Sequence, residues 1–211
     1  MKKRLPGTLL AAFIVGFYAF YIPSNLGNPL DEWLSGLIRL LSYFTIQSNI
    51  MVGFVAVAAV MSHPPKWLKW WRGDSVKAAV SLYITVTGAV HFILLQGSID
   101  YQGWQSVGNI CHHYITPILM PLYWLLSRQP KTMSARNIPA WLVFPIVYLL
   151  YWLIRGPIVG NYPYFFLDVD KFGYGQVAIN CALLTLFFSL LAGMLIAVDR
   201  KVMLQNRNGL A

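Results

Sequence analysis

A hydroxyl, an imidazole and a carboxamide held in apolar surroundings can perform acyl transfer, and this sequence carries all three inside stretches otherwise poor in polar residues. If residues 34–61 form one helix, a turn of about 100° per residue brings Ser42, Thr45 and Asn49 within roughly 60° of one another. Ser48 falls at one flank of that stripe and Arg39 at the other, while Gln47 points nearly the opposite way. Polar side chains are costly in hydrocarbon, so the stripe should face the interior of a bundle, where it serves a site or binds helices together. Histidine narrows the choice. His91 lies near the end of one apolar stretch and His112 and His113 near the start of the next, which sets three imidazoles at similar depth. An imidazole near pH 7 is a general base, a metal or haem ligand, or a hydrogen-bonding core residue.

Nucleophilic catalysis needs a hydroxyl, a base within reach of it and donors for the developing oxyanion. Thr45 or Ser48 can supply the hydroxyl, His113 or His112 the base, and Asn49 or Arg39 the donors or charge. No Gly-x-Ser-x-Gly elbow is present, which excludes a serine hydrolase of the soluble kind as a motif match. A zinc site from His91, His112 or His113 with Asp100 is a competing arrangement, although the spacing is that of no metal motif. Cys111 and Cys181 both fall inside apolar stretches and indicate neither a disulfide framework nor a Cys-x-x-Cys site, so no cofactor is expected. Gln176 and Asn180, four apart, share a helix face and either complete the polar cavity or bond to a neighbour.

The elements that must position these groups follow from composition. With 57% hydrophobic and 11% charged residues, a water-soluble domain of 211 residues could not cover itself with polar surface. A spanning helix needs about 20 predominantly apolar residues, and such stretches occur near 7–23, 34–61, 76–96, 110–127, 138–154 and 175–198. The expected fold is an all-α integral membrane bundle of six transmembrane helices in a single domain, 1–211. The basic start followed by an apolar run resembles a signal peptide, but Pro23-Ser24-Asn25 offers no small-residue cleavage site, so a retained first helix is expected. Six crossings put Lys2, Lys3, Arg4, Lys66, Lys69, Arg72, Lys77, Arg128, Lys131, Arg136, Arg200, Lys201 and Arg207 on one side, against Arg155 and Lys171 on the other. Bases resist translocation, so both termini should be cytoplasmic, in a cell (inner) membrane. The net charge of +9 is thereby a topology signal, and no nucleic-acid partner is implied. Trp67, Trp70 and Trp71 on the basic side and Trp33, Tyr101, Trp104, Tyr162 and Tyr164 on the other form two interfacial belts, with 67–72 lying along the headgroups.

Three runs carry a resemblance: Phe44-Thr45-Ile46-Gln47-Ser48-Asn49, His113-Tyr114-Ile115-Thr116-Pro117, and Tyr162-Pro163-Tyr164-Phe165-Phe166. In order and spacing they resemble the FAR-17a and androgen-induced-gene family and its bacterial multi-pass relatives across nearly the whole chain. The resemblance implies six membrane helices and, from the animal members, a threonine hydrolase of fatty acid esters of hydroxy fatty acids. It places the required Thr and His on Thr45 and His113, the Pro four residues on favouring His113 over His112.

Together these readings predict an intramembrane hydrolase of lipid esters with membrane lipids as its partners. Thr45 is expected to act as nucleophile and His113 as base, with Arg39, Ser42, Ser48, Asn49, His91, His112, Thr116, Gln176 and Asn180 supporting them. The aromatic loop from Gly156 to Lys171 would either cap the cavity or only return the chain. The alternatives are a non-enzymatic carrier for a lipid or small ligand, disfavoured by the lack of an internal repeat, and a protein with His-ligated haem or metal.

Overall fold

A chain in hydrocarbon has no water to satisfy its backbone, so apolar runs of span length become helices. The computed structural model describes residues 4–129 and 133–208, without the side chains of Ser24 and of residues 202–208, and contains helix and no strand among them. Lys2, Lys3 and Lys131, and the side chain of Arg207, lie outside what is described. Among the described residues four helical segments are long and apolar enough to cross a membrane, Leu5–Pro23, Asp74–Leu95, Ala135–Val159 and Val169–Lys201. A bent pair makes a fifth if it counts as one span. These are the segments of a multi-pass membrane protein. The chain divides at Gln129/Pro130 into two compact units.

In the first unit, α1 (Leu5–Asn25) is followed by α2 (Leu30–Leu41) and α3 (Phe44–Val60). The single helix expected over 34–61 is therefore broken, with α2 and α3 bent by 82°. Its cause is local: Ser42 folds its hydroxyl back onto the Arg39 carbonyl at 2.6 Å, and Tyr43 adopts an extended conformation (φ −78°, ψ 136°). Gln47, expected on the face opposite the stripe, donates its amide to the Leu41 carbonyl at 2.9 Å and so caps the end of α2. Tyr21 secures α2 to α1 through a hydrogen bond to the Trp33 carbonyl and an edge contact with the Trp33 ring.

The expected headgroup segment is a short helix, α4 (Lys66–Lys69), and a 3₁₀ turn, Trp70–Arg72. Leu68 is buried while Trp67 and Trp70 stay exposed, as an interfacial anchor requires. Next come α5 (Asp74–Val90), which continues as a π turn over His91–Leu95, and α6 (Trp104–Ile110), which runs through a second π turn, Cys111–Ile115, into α7 (Thr116–Ser127). The run from Trp104 to Ser127 is helical without a break, but its histidines and prolines leave it less apolar than the four long segments. Pro117 has no N–H to return to His113, and the ladder widens there, with the Thr116 N–H reaching the Cys111 carbonyl. Leu9, Val52, Val55, Ala56, Val80, Ile84 and Met120 form the core where α1, α3, α5 and α7 meet.

The second unit pairs α8 (Ile138–Val159), which is Pro145- and Pro157-containing, with α9 (Val169–Asn208), which is kinked at Gly173. Trp141, Tyr148 and Trp152 are buried in it, and the buried Asp199 carboxylate accepts the Met133 N–H at 3.3 Å. Between the two helices the aromatic loop turns at Gly160, whose left-handed backbone (φ 60°) suits glycine. The Tyr162 ring covers Gly156, where a Cβ would lie 2.0 Å from it.

Candidate functional site

The break at Tyr43 decides where Thr45 stands. Thr45 lies in the first turn of α3, at the positive end of that helix's dipole, and not a dozen residues inside a longer span. It is half-buried, and its Oγ1 lies 3.3 Å from Nε2 of His113 on the π turn of the facing segment. The other ring nitrogen, Nδ1, is 2.7 Å from Oδ1 of Asn109, one turn earlier on α6. A carboxamide oxygen only accepts, so Nδ1 carries the proton and Nε2 turns its lone pair toward the threonine hydroxyl. Hydroxyl, imidazole and amide thus form a chain of hydrogen bonds with no formal charge.

The support around this chain comes from three helices. The His91 ring lies flat against the His113 ring, centroids 3.9 Å apart and planes 14° from parallel, and both histidines sit on π turns. Such turns cluster at functional sites because they displace side chains from regular helical positions. Gly88 lets α5 approach closely, since a Cβ there would meet the Pro117 ring at 2.8 Å. Asn49 is fully engaged: its Nδ2 donates to the Thr45 carbonyl at 2.8 Å and the His112 carbonyl at 3.3 Å, and its Oδ1 accepts from Thr116 at 2.6 Å. It ties α3 to the π turn and does not serve as a donor to an oxyanion. Ser48 bridges the Thr45 carbonyl at 3.0 Å and the Thr87 hydroxyl at 2.9 Å. Tyr101, in the loop before α6, is pushed above the ordinary phenol range by burial and then by nearby Tyr43, so it remains a neutral hydroxyl.

Of the residues expected in the site, Thr45, Ser48, Asn49, His91, His113 and Thr116 come together. Arg39 does not, because the bend leaves it exposed on α2, and Ser42 is spent on ending that helix. His112 is fully buried but turns the other way, stacking on Phe20 and nearly touching Gly16 of α1. Neither of its ring nitrogens makes a well-formed hydrogen bond, although the Phe13 backbone is within electrostatic reach. The choice left open between neighbouring histidines therefore falls on His113. Gln176 and Asn180 belong to the second unit, where Gln176 donates to Asn180 at 3.0 Å and Asn180 to the Phe166 carbonyl at 2.9 Å. Asn109 was missed, although its place four residues before His113 is the spacing that joins an amide to a ring on one helix face.

The metal alternatives fare poorly on ligand geometry. No group of three or more His, Cys, Asp or Glu converges among the described residues, and Asp100 sits in an exposed loop bonded to Gln102. Face-to-face rings such as His91 and His113 cannot bind one iron from opposite sides.

Fold and site together define an all-helical protein, with helices apolar enough to cross a membrane and a part-buried chain of threonine, histidine and asparagine at one end of its first unit. No family model, curated protein or solved structure matches the chain.

Proposed function

We propose that this protein is an intramembrane hydrolase of lipid esters, with Thr45 as nucleophile, His113 as general base and Asn109 as the group that orients the base. The observation that carries this reading is the relay itself, Thr45 Oγ1 at 3.3 Å from His113 Nε2 and His113 Nδ1 at 2.7 Å from Asn109 Oδ1. Thr45 Oγ1 attacks the ester carbonyl carbon as its proton passes to Nε2. The tetrahedral intermediate collapses, the alkoxide leaves with that proton, and an acyl ester on Thr45 remains. Water then attacks the acyl carbon, giving one proton to His113 and releasing the fatty acid while Thr45 regains its hydrogen. Negative charge at the attacked carbonyl develops beside the N-terminal end of α3, where the helix dipole favours it.

The apolar helices suit a substrate that arrives through the bilayer, and α2 supports that route. Leu30, Leu34, Ile38 and Leu41 form an exposed stripe along one side of it, next to the bend that leads to Thr45. An amphipathic helix at 82° to a spanning one lies in the plane of the headgroups, beside a lateral entrance. In this reading Trp104–Ser127 supplies the sixth crossing, both termini are cytoplasmic in the cell membrane, and the relay opens toward the outer leaflet. The resemblance to the FAR-17a and androgen-induced-gene family points the same way.

The test is labelling of the purified protein by an alkyl fluorophosphonate. The unaltered protein is expected to be labelled on Thr45, and Thr45→Ala to lose all labelling while keeping its helical content and thermal transition. Undiminished labelling of the Thr45→Ala variant would overturn the assignment.

A further inference from the structure

At the far end of α3 the chain builds a second polar centre with different chemistry. A cavity of about 220 Å³ lies where the ends of α3, α5 and α7 meet the Trp70–Arg72 turn. Val55 and Ala59 of α3 floor it, Trp71 forms a wall, and the remaining lining is Arg72, Lys77, Tyr123 and Ser127. Lys77 is buried, with its ammonium 2.8 Å from the Asp74 carboxylate, 3.0 Å from the Ser127 hydroxyl and 5.8 Å from the centre of the Tyr123 ring. Arg72 donates from Nε to the Ala58 carbonyl at 2.7 Å and from Nη2 to the Met61 carbonyl, and a guanidinium carries more donors than those two carbonyls use.

The charges do not balance. Arg72 and Lys77 contribute two positive charges to the cavity wall, and the only nearby carboxylate described, Asp74, already serves Lys77 and accepts the Gln129 N–H at 2.8 Å. Asp74 is absent from the cavity lining. Arg72 is exposed at the mouth of the cavity and spends only part of its donor set on carbonyls, so an anion entering there meets a guanidinium already held in place. The surroundings are those of a membrane surface: Trp67 and Trp70 stand exposed beside the cavity, on the short segment that also carries Lys66 and Lys69. Basic pockets at this depth, with an arginine to fork around two oxygens and a lysine as a point charge, take the phosphate of an anionic lipid.

We infer that the cavity between Arg72, Lys77, Tyr123 and Ser127 is a binding site for a phosphate group, supplied by the headgroup of an anionic phospholipid. Arg72 and Lys77 meet the phosphate oxygens, the Tyr123 and Ser127 hydroxyls complete the shell, and the acyl chains lie along the apolar bundle. The site is separate from the relay, since Val55 and Ala59 lie 10 to 14 residues beyond Thr45 on α3, about 15–21 Å along a helix.

The experiment is native mass spectrometry of the full chain, released from micelles with phosphatidylglycerol and phosphatidylcholine at equal mole fraction. Phosphatidylglycerol should be retained about tenfold over phosphatidylcholine, a preference of about 1.4 kcal/mol. Ala59→Phe, which fills the cavity and leaves both charges, should abolish that preference. The pair Tyr123→Phe with Ser127→Ala, which preserves shape and charge, should reduce it severalfold and serves if the larger substitution fails to fold. Added inorganic phosphate separates the sources: retention of the lipid at millimolar phosphate supports a headgroup site, and displacement by it makes soluble phosphate the ligand and overturns the lipid assignment. Equal retention of the two lipids by the unaltered protein, or an unchanged preference in both variants, would overturn the site altogether. Because the readout is binding, Thr45→Ala protein should behave as the unaltered chain, so a failed hydrolase assignment would not be mistaken for a failed lipid site.

Discussion

At the Phe44 end of α3 a hydroxyl, an imidazole and an amide share hydrogen bonds without a formal charge among them, whereas toward the Val60 end a guanidinium and an ammonium face a cavity with one carboxylate between them. Between the two lies an apolar layer, Val52, Val55 and Ala56 of α3 against Leu9, Val80, Ile84 and Met120, with the buried Ser81 hydroxyl bonded to backbone carbonyls beside it. A single helix thus spans two solvents' worth of chemistry. The neutral end suits proton transfer, because an uncharged imidazole keeps a lone pair for the hydroxyl proton, and the imidazolium that forms is compensated by the oxyanion formed with it. The charged end suits recognition, because a guanidinium at the cavity mouth and an ammonium in its wall outnumber the one carboxylate beside them and attract an anion. The apolar layer isolates one from the other, and that separation is what experiments can break.

The largest effect is expected at the neutral end. His113→Ala removes the imidazole 3.3 Å from the Thr45 hydroxyl and should lower ester hydrolysis by roughly a thousandfold, within the range general-base removal produces. Phosphatidylglycerol retention should stay unchanged, and a matching loss there would show that the two ends are not independent. Met120→Ala comes next. Met120 is fully buried in the layer between the ends, so its truncation should cost about 2–5 kcal/mol of stability. Thermal unfolding in micelles should report that as one lowered transition, with loss of hydrolysis and of lipid retention at the same temperature. Two separate transitions would show that the ends melt independently and that the layer does not join them.

How the site was legible, and where legibility stopped, follows from the same geometry. Thr45 and His113 stood out because each is polar within an apolar run, which hydrocarbon makes conspicuous whatever the backbone does. Four of the six apolar runs, 7–23, 76–96, 138–154 and 175–198, fall on the four helical segments long and apolar enough to cross a membrane among the described residues. The stripe on 34–61 failed at Ser42 and Tyr43, because neither Pro nor Gly marks the break and a side-chain hydroxyl bonded to Arg39 ends the helix instead. Arg39 was lost with it. The two π turns were hidden for a related reason: a constant 100° per residue cannot register an extra residue in a turn, although Pro117 carried the cause of the one at Cys111–Ile115. Asn109 was overlooked because it precedes the apolar run that begins at 110, so it read as loop although it lies within α6.

Asn109 also gives the smallest and most discriminating prediction. The one bond described for its side-chain oxygen is to Nδ1 of His113. The amide therefore acts by fixing which ring nitrogen holds the proton and which way the ring faces. The Asn109 backbone also bonds to His113, so without the amide oxygen the productive tautomer is held less firmly and presents its lone pair to Thr45 for less of the time. Asn109→Leu should then reduce kcat by about 10- to 100-fold, the scale on which histidines elsewhere suffer from losing an orienting partner, with KM unaltered because binding is untouched. Asn109→Asp keeps an acceptor in place and should restore most of the rate, which simple repacking of α6 against α1 would not explain. An Asn109→Leu enzyme with full kcat, or an Asn109→Asp enzyme no better than the leucine variant, would reduce the relay to a hydroxyl and an imidazole in fortuitous contact. The neutral end would then differ from the cationic one in charge alone.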